Sequence, residues 1–340
     1  MIRVLVVDDS AYNRMALTRM LSQHPEIEVI DTARNGEDAL KKIHNAKPDV
    51  ITLDLEMPVM DGFSVLRWLQ QNQPTPVIVV SARASDANVF KALELGAVDF
   101  IAKPTGKASP TLQVIATDLI AKVKAASRAE LKNAPPPRTP QPVSEEKAER
   151  KAGDYDCMVI GASTGGPAAI QSIISALPQL SIPIVVAQHM PPIFTQLFAE
   201  RMDRIAKMTV VEAKDGQVAE PGVVYISPGG SHISIARRGS DFHLHILPRM
   251  IDDLYAPSVD VLFRSAAKAC GGRILAVLLT GMGSDGAQGL KIILDQGGTT
   301  LVESEQSAVV FGMPGEAVRL GAAQRILPLW EIPGEIIKIL

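Results

Sequence analysis

Gly161-Ala162-Ser163-Thr164-Gly165 reads G-x-S-x-G and lies between a β-branched run, residues 157–160, and a helical segment opened by Gly166-Pro167. Small neighbours permit a sharp strand-to-helix turn, and proline in the first helical turn sacrifices no hydrogen bond. Such a turn can present a nucleophilic serine. A glycine-rich turn of this kind also cradles phosphates, so the pattern alone fits a nucleotide loop equally well. A hydroxyl nucleophile needs a base, and among six histidines only His189 follows a buried-type parallel strand, residues 184–187. His232, His243 and His245 fall in runs of period-2 strand spacing. His243 and His245 share a strand face, but no third residue has the spacing of a metal ligand, so a polar face is the expectation there. The base in turn needs an orienting carboxylate. Asp285, in TGMGSDG after the apolar run 274–279, lies at a third strand end, whereas Asp260 and Asp295 sit in helical patterns. Capping of the following helix would also explain Asp285, and the two roles are compatible. The order Ser, His, Asp differs from that of α/β-hydrolases, so the motif does not imply that fold.

A second constellation occupies the first third of the chain. Asp8 and Asp9 follow one strand candidate, Asp54 a third, Ser81 a fourth and Lys103 a fifth. In an open α/β sheet these positions share one edge, where ligands bind. Three clustered carboxylates repel one another and call for a hard cation such as Mg2+. Lys103 and Ser81 would supply a mobile positive charge and a hydroxyl to a phosphoryl group.

The elements that must position these residues are β-branched runs alternating with amphipathic stretches. Residues 3–7, 29–33, 49–53, 77–80 and 98–101 predict a five-stranded parallel sheet with five helices. The alternation returns at 157–160, 184–187, 274–280 and 299–302. Between them, residues 222–227, 231–236 and 242–247 have strand spacing, and Pro228-Gly229-Gly230 signals a hairpin joining the first two. The second half is therefore expected to be α/β with an antiparallel insertion. Residues 133–142 contain five prolines in ten and precede a charged stretch, which reads as an extended linker. The boundaries implied are 1–124, a linker 125–153, and 154–340.

The 340 residues suffice for two such domains, and 46% hydrophobic content allows each a core. Lys plus Arg number 34 against 37 Asp plus Glu, with 14 against 18 after residue 153, so nucleic acid is not an expected partner and a basic helix-turn-helix output domain is disfavoured. Two cysteines cannot build a disulfide framework, and no signal-peptide pattern is present, which together point to a reducing, cytoplasmic setting. The longest apolar runs fall far short of the ~20 residues that span a bilayer, so no membrane insertion is expected.

VVDDS, LDLEMPVMDG and Lys103-Pro104 together resemble the receiver domain of bacterial response regulators, of flavodoxin-like fold, over about residues 1–124. That resemblance implies phosphorylation of Asp54 by a histidine kinase. Asp9, Asp54 and the Glu56 carbonyl would surround Mg2+ with support from Asp8, and Ser81 and Phe100 would be switch residues beside Lys103. GASTGG, QHMP and LTGMGSDG, in this order behind a receiver, resemble the CheB family of chemotaxis protein-glutamate methylesterases. The resemblance implies a doubly wound α/β esterase domain that hydrolyses glutamate γ-methyl esters, and deamidates particular glutamines, on methyl-accepting chemotaxis receptors. Ser163 would be nucleophile, His189 general base and acid, and Asp285 its orienter. The amides of Thr164 and Met282 are the oxyanion-hole candidates. Ester hydrolysis would need no cofactor, and the phosphodonor would be the chemotaxis histidine kinase.

Overall fold

The computed structural model describes residues 1–81, 87–103, 110–128 and 155–340; the proline-rich stretch 133–142 and the charged residues after it lie outside these. The chain divides into two compact units, Met1–Lys132 and Asn133–Leu340.

In the first unit five strands alternate with five helices: β1 (Ile2–Val7), α1 (Ala11–Leu21), β2 (Ile27–Ala33), α2 (Gly36–Ala46), β3 (Val50–Leu53), α3 (Gly62–Asn72), β4 (Val77–Ser81), α4 (Ala87–Glu94), β5 (Asp99–Ala102) and α5 (Pro110–Ala126). The strands pair in parallel in the order β2-β1-β3-β4-β5. β3 and β4 are buried throughout, as strands covered on both faces must be. Side-chain caps start the first three helices: Ser10 accepts from the Asn13 amide, Asn35 from Asp38 and Asp61 from Ser64. The caps at Ser10 and Asp61 start α1 and α3 a few residues beyond the strand ends that carry Asp8, Asp9 and Asp54.

The second unit contains β6 (Cys157–Ala162), α6 (Gly166–Ala176), β7 (Ile184–Gln188), α7 (Pro192–Ile205), β8 (Thr209–Glu212), β9 (Val223–Ile226), β10 (Ser231–Arg238), β11 (Asp241–Pro248), α8 (Val259–Cys270), β12 (Ile274–Leu278), α9 (Ala287–Asp295), β13 (Thr299–Glu303), α10 (Met313–Arg319), β14 (Arg325–Leu327) and α11 (Ile332–Ile339). Seven strands form a parallel sheet in the order β14-β13-β12-β6-β7-β9-β8. The chain moves from β6 to β7 on one side, while β12 lies on the other, so the strand order reverses at β6. The carboxyl ends of β12, β6 and β7 therefore flank a topological switch point, the usual ligand site of such sheets.

The predicted hairpin requires correction. Residues 222–227 supply β9, which pairs in parallel with β7 and β8 and does not join the antiparallel insertion. Its VVYI sequence is almost wholly buried, and Pro228-Gly229-Gly230 leads out of the main sheet. The hairpin is β10–β11, closed at Gly239-Ser240 between the paired Arg238 and Asp241. Ile233, Ile235 and Leu244 from the hairpin share a buried cluster with Leu262 and Phe263 of α8 and Leu278 of β12. That packing fixes α8 over the edge of the sheet where the site lies.

Candidate active site

Ser163 follows β6 in a tight turn. Its amide donates to the Thr280 carbonyl at 3.0 Å, and its own carbonyl accepts from Gly166 at 2.8 Å. Gly165 takes φ +78°, and a Cβ there would lie 2.8 Å from the Val309 side chain, so glycine satisfies both backbone conformation and space. At Gly281 the constraint is close approach, since a Cβ would sit 2.7 Å from Ser163 Cβ. His189 follows β7, its amide bonded to the Ala162 carbonyl at 3.1 Å. Asp285 lies in the turn between β12 and α9.

These three side chains form one hydrogen-bonded chain. His189 Nδ1 is 3.1 Å from Ser163 Oγ, and His189 Nε2 is 2.8 Å from Asp285 Oδ2. A carboxylate only accepts, so Nε2 carries the hydrogen and the Nδ1 lone pair faces the serine hydroxyl. The Asp285 side chain is 8% exposed. Oδ1 accepts from Ser258 Oγ at 2.9 Å and the Asp260 amide at 3.0 Å, and Oδ2 also accepts from the Val259 amide at 2.7 Å. Burial alone would raise its carboxyl, but the His189 hydrogen bond and charge, with the Asp260 and Val259 amides, hold it below the usual carboxylate range. Asp285 thus caps a helix, as one reading of the sequence allowed, but the helix is α8, which precedes it, and not the expected α9.

Two supporting residues escaped the sequence reading. The Tyr255 ring stacks on His189 with centroids 4.2 Å apart and planes at 11°. Gln188 Nε2 donates to the carbonyls of Ser163 and His189 at 2.9 and 3.0 Å, tying together the two strand ends. Only the AQHMP run hinted at Gln188, through its place at the end of a strand. Tyr255 left no signal, because 255 and 189 meet only through the fold. The amides of Thr164 and Met282 adjoin Ser163 and Gly281, and among the described residues neither is bound to a protein acceptor. The hydroxyl, its base and two amides on one edge can carry out acyl transfer through a tetrahedral oxyanion.

The insertion histidines do other work. His232 bridges Asp253 Oδ2 at 2.7 Å and the Ser258 amide at 3.1 Å, and His245 faces Asp215. Among the described residues, the acidic and histidine side chains that converge well enough to hold a metal are Asp8, Asp9 and Asp54, with ligand oxygens within 4.8 Å of one another.

That second site lies at the strand ends of the first unit. Lys103 Nζ contacts Asp54 Oδ2 at 2.5 Å and Asp8 Oδ2 at 3.0 Å. Asp54 Oδ1 accepts from the Glu56 amide at 3.3 Å, and Asp8 Oδ1 from the Ser10 amide at 2.9 Å. Burial pushes the Asp54 carboxyl up to about 6 in spite of Lys103. Burial would lower Lys103, but its bonds to Asp54 and Asp8 keep it raised and charged. Ser81 is buried at the end of β4, and its carbonyl accepts from the Lys103 amide at 2.7 Å. Phe100 is buried edge-to-face against Phe90. An all-oxygen set with one solvent-exposed member, Asp9, fits a hard divalent cation.

Comparison with known proteins agrees over the whole chain. Residues 158–336 match the CheB methylesterase family and residues 4–114 the response regulator receiver domain. A Myxococcus xanthus protein named protein-glutamate methylesterase/protein-glutamine glutaminase 1 is 47% identical, over 97% of this chain and 95% of its own length. An Archaeoglobus fulgidus protein named protein-glutamate methylesterase/protein-glutamine glutaminase is 42% identical over 99% and 98%. The crystal structure of the Thermotoga maritima CheB methylesterase catalytic domain superposes with a TM-score of 0.53 at 38% identity, covering 55% of this chain and 99% of that one. With a receiver domain ahead of a doubly wound domain whose strand ends gather a serine, a histidine and an aspartate, the chain belongs to the CheB methylesterase family.

Proposed function

We propose that this chain hydrolyses glutamate γ-methyl esters, and deamidates particular glutamines, on methyl-accepting chemotaxis receptors, working in the cytoplasm as the adaptation enzyme of a two-component system. The observation that carries the reading is the unbroken Ser163–His189–Asp285 hydrogen-bonded chain at three adjacent strand ends. His189 Nδ1 takes the Ser163 proton as Oγ attacks the ester carbonyl. Asp285 holds the resulting imidazolium, and the Thr164 and Met282 amides stabilise the oxyanion, at roughly 3 kcal/mol per donor. His189 then protonates the departing methoxide, giving methanol and an acyl-enzyme. Water, deprotonated by His189, releases glutamate and restores Ser163. For a glutamine side chain the same steps release ammonia.

Asp54 is the phosphoacceptor in this reading, with a histidine kinase as donor. Asp9, Asp54 and the Glu56 carbonyl would hold Mg2+, supported by Asp8, and the cation would neutralise the incoming phosphoryl group. Lys103 and Ser81 would then bind phosphoryl oxygens, and the added charge would be read out through Phe100. A serine-directed fluorophosphonate tests the catalytic part. It should modify Ser163 stoichiometrically and nothing in a Ser163→Ala chain. A wild-type chain that resists labelling while binding nucleotide would favour the phosphate-loop alternative.

A further inference from the structure

Among the described residues of the second unit, one buried acid has no part in the esterase chemistry above. Glu303, the last residue of β13, is 1% exposed. Its Oε2 accepts from the Thr280 amide at 2.8 Å, and its Oε1 from Ser307 Oγ at 2.9 Å. Ser307 Oγ in turn accepts from the Leu329 amide at 2.8 Å, which anchors the carboxylate at its second oxygen.

Thr280 is the residue from which both halves of the proposed oxyanion hole hang. Its carbonyl accepts from the Ser163 amide at 3.0 Å, and its hydroxyl donates to the Thr164 carbonyl at 2.9 Å. The same hydroxyl accepts from the Val310 amide at 2.9 Å, and Val310 returns its carbonyl to the Gly281 amide at 3.0 Å. Met282 follows directly. The Gly281 carbonyl is held by the Gly312 and Met313 amides. Glu303 therefore fastens one backbone amide that sets the height of two turns, one carrying Ser163 and Thr164, the other Met282.

We propose that Glu303 is a positioning residue for the nucleophile turn and oxyanion hole, acting through the Thr280 amide. The inference rests on the esterase reading for its kinetic consequence and on geometry alone for the fastening. Loss of the acceptor lets Thr280 relax, and a displaced hole donor stabilises the transition state less while substrate binding is unchanged. Glutamine keeps both contacts, since its oxygen can accept from Thr280 and its amide can donate to Ser307 Oγ. Leucine has similar bulk but neither contact. Aspartate keeps the charge and falls short by one methylene.

The test compares wild type, Glu303→Gln, Glu303→Leu and Glu303→Asp in the full chain. Methanol release from methylated receptor membranes is measured together with hydrogen exchange of the Thr280 and Ser163 amides. The Leu and Asp variants should lose about 10- to 100-fold in kcat with KM within twofold, and should lose protection at Thr280; the Gln variant should restore most of both. If the Leu variant does not fold, the Asp and Gln pair makes the same comparison. A folded Asp or Leu variant with wild-type kcat and Thr280 protection would overturn the proposal. Should wild type release no methanol, the esterase reading fails, while the exchange data still decide whether Glu303 fastens Thr280.

Discussion

Asp285→Ala should impair catalysis and folding together, because one carboxylate serves the base and a helix. Its two oxygens accept four hydrogen bonds, from His189 Nε2, Ser258 Oγ and the amides of Val259 and Asp260. The two amides are first-turn donors of α8, which no intrahelical partner can satisfy. Leaving each unpaired at a mostly buried site costs about 1–2 kcal/mol, so the substitution should cost roughly 2–4 kcal/mol in all. For a domain of this size that lowers the thermal transition by about 5–15 °C. The rate should fall further, on the order of 10³- to 10⁴-fold, because His189 loses the acceptor that fixes its hydrogen on Nε2. Ser163→Ala provides the contrast: the Oγ bonds only His189 Nδ1 among the contacts described, so activity should vanish with little change in stability. Combining the two should lower the rate no further than Ser163→Ala alone. Calorimetry of the full chain, with methanol release as the activity assay, reads both effects. An Asp285→Ala protein with an unchanged transition, or with a tenth or more of wild-type turnover, would refute the dual role.

Three further outcomes follow from particular contacts. Tyr255→Ala removes the ring stacked on His189 and should lower kcat about 2- to 10-fold, the rate equivalent of a typical aromatic stack, with the fold intact by circular dichroism. Burial pushes the Glu303 carboxyl up to about 7 from its ordinary 4.5, so the folded state holds its proton more tightly and the stability from this group is full below pH 4.5 and lost as pH rises through 7. Relative to wild type, Glu303→Gln should therefore gain about 2–3 kcal/mol in urea unfolding between pH 5 and pH 8, and a difference that does not change with pH would contradict the buried, ionising carboxylate. Asp54→Asn should not be labelled by a small-molecule phosphodonor with Mg2+, whereas wild type should be; stable labelling of the variant would place the phosphoacceptor elsewhere.

The fold was legible wherever strands are buried on both faces. β1, β3, β4, β5, β6, β7, β12 and β13 all announce themselves as short β-branched runs, and the site residues read from the sequence lie at or a few residues beyond their ends, except Phe100, which lies within β5. The sequence reading did not detect β8 and β14, which form the two edges of the second sheet, and only one of the seven residues they contain is buried. The hairpin was misplaced because Pro228-Gly229-Gly230 looks like a stronger turn than Gly239-Ser240, although a two-residue Gly-Ser loop between alternating runs is itself a hairpin signal. Side chains that support the site across the fold were not legible. Tyr255 stacks on His189 from 66 residues away and Glu303 holds the Thr280 amide from 23 residues away, and nothing in local spacing ties them to those partners. The helix capped by Asp285 was misassigned for the same reason, since capping by a distant residue is a tertiary contact.

The central claim is that Ser163 is the nucleophile of a receptor methylesterase, and methanol release from methylated receptor membranes tests it most directly. Wild type should release methanol continuously, and Ser163→Ala, folded to the same thermal transition, should release none above the uncatalysed background. Equal release by the two proteins would contradict the account.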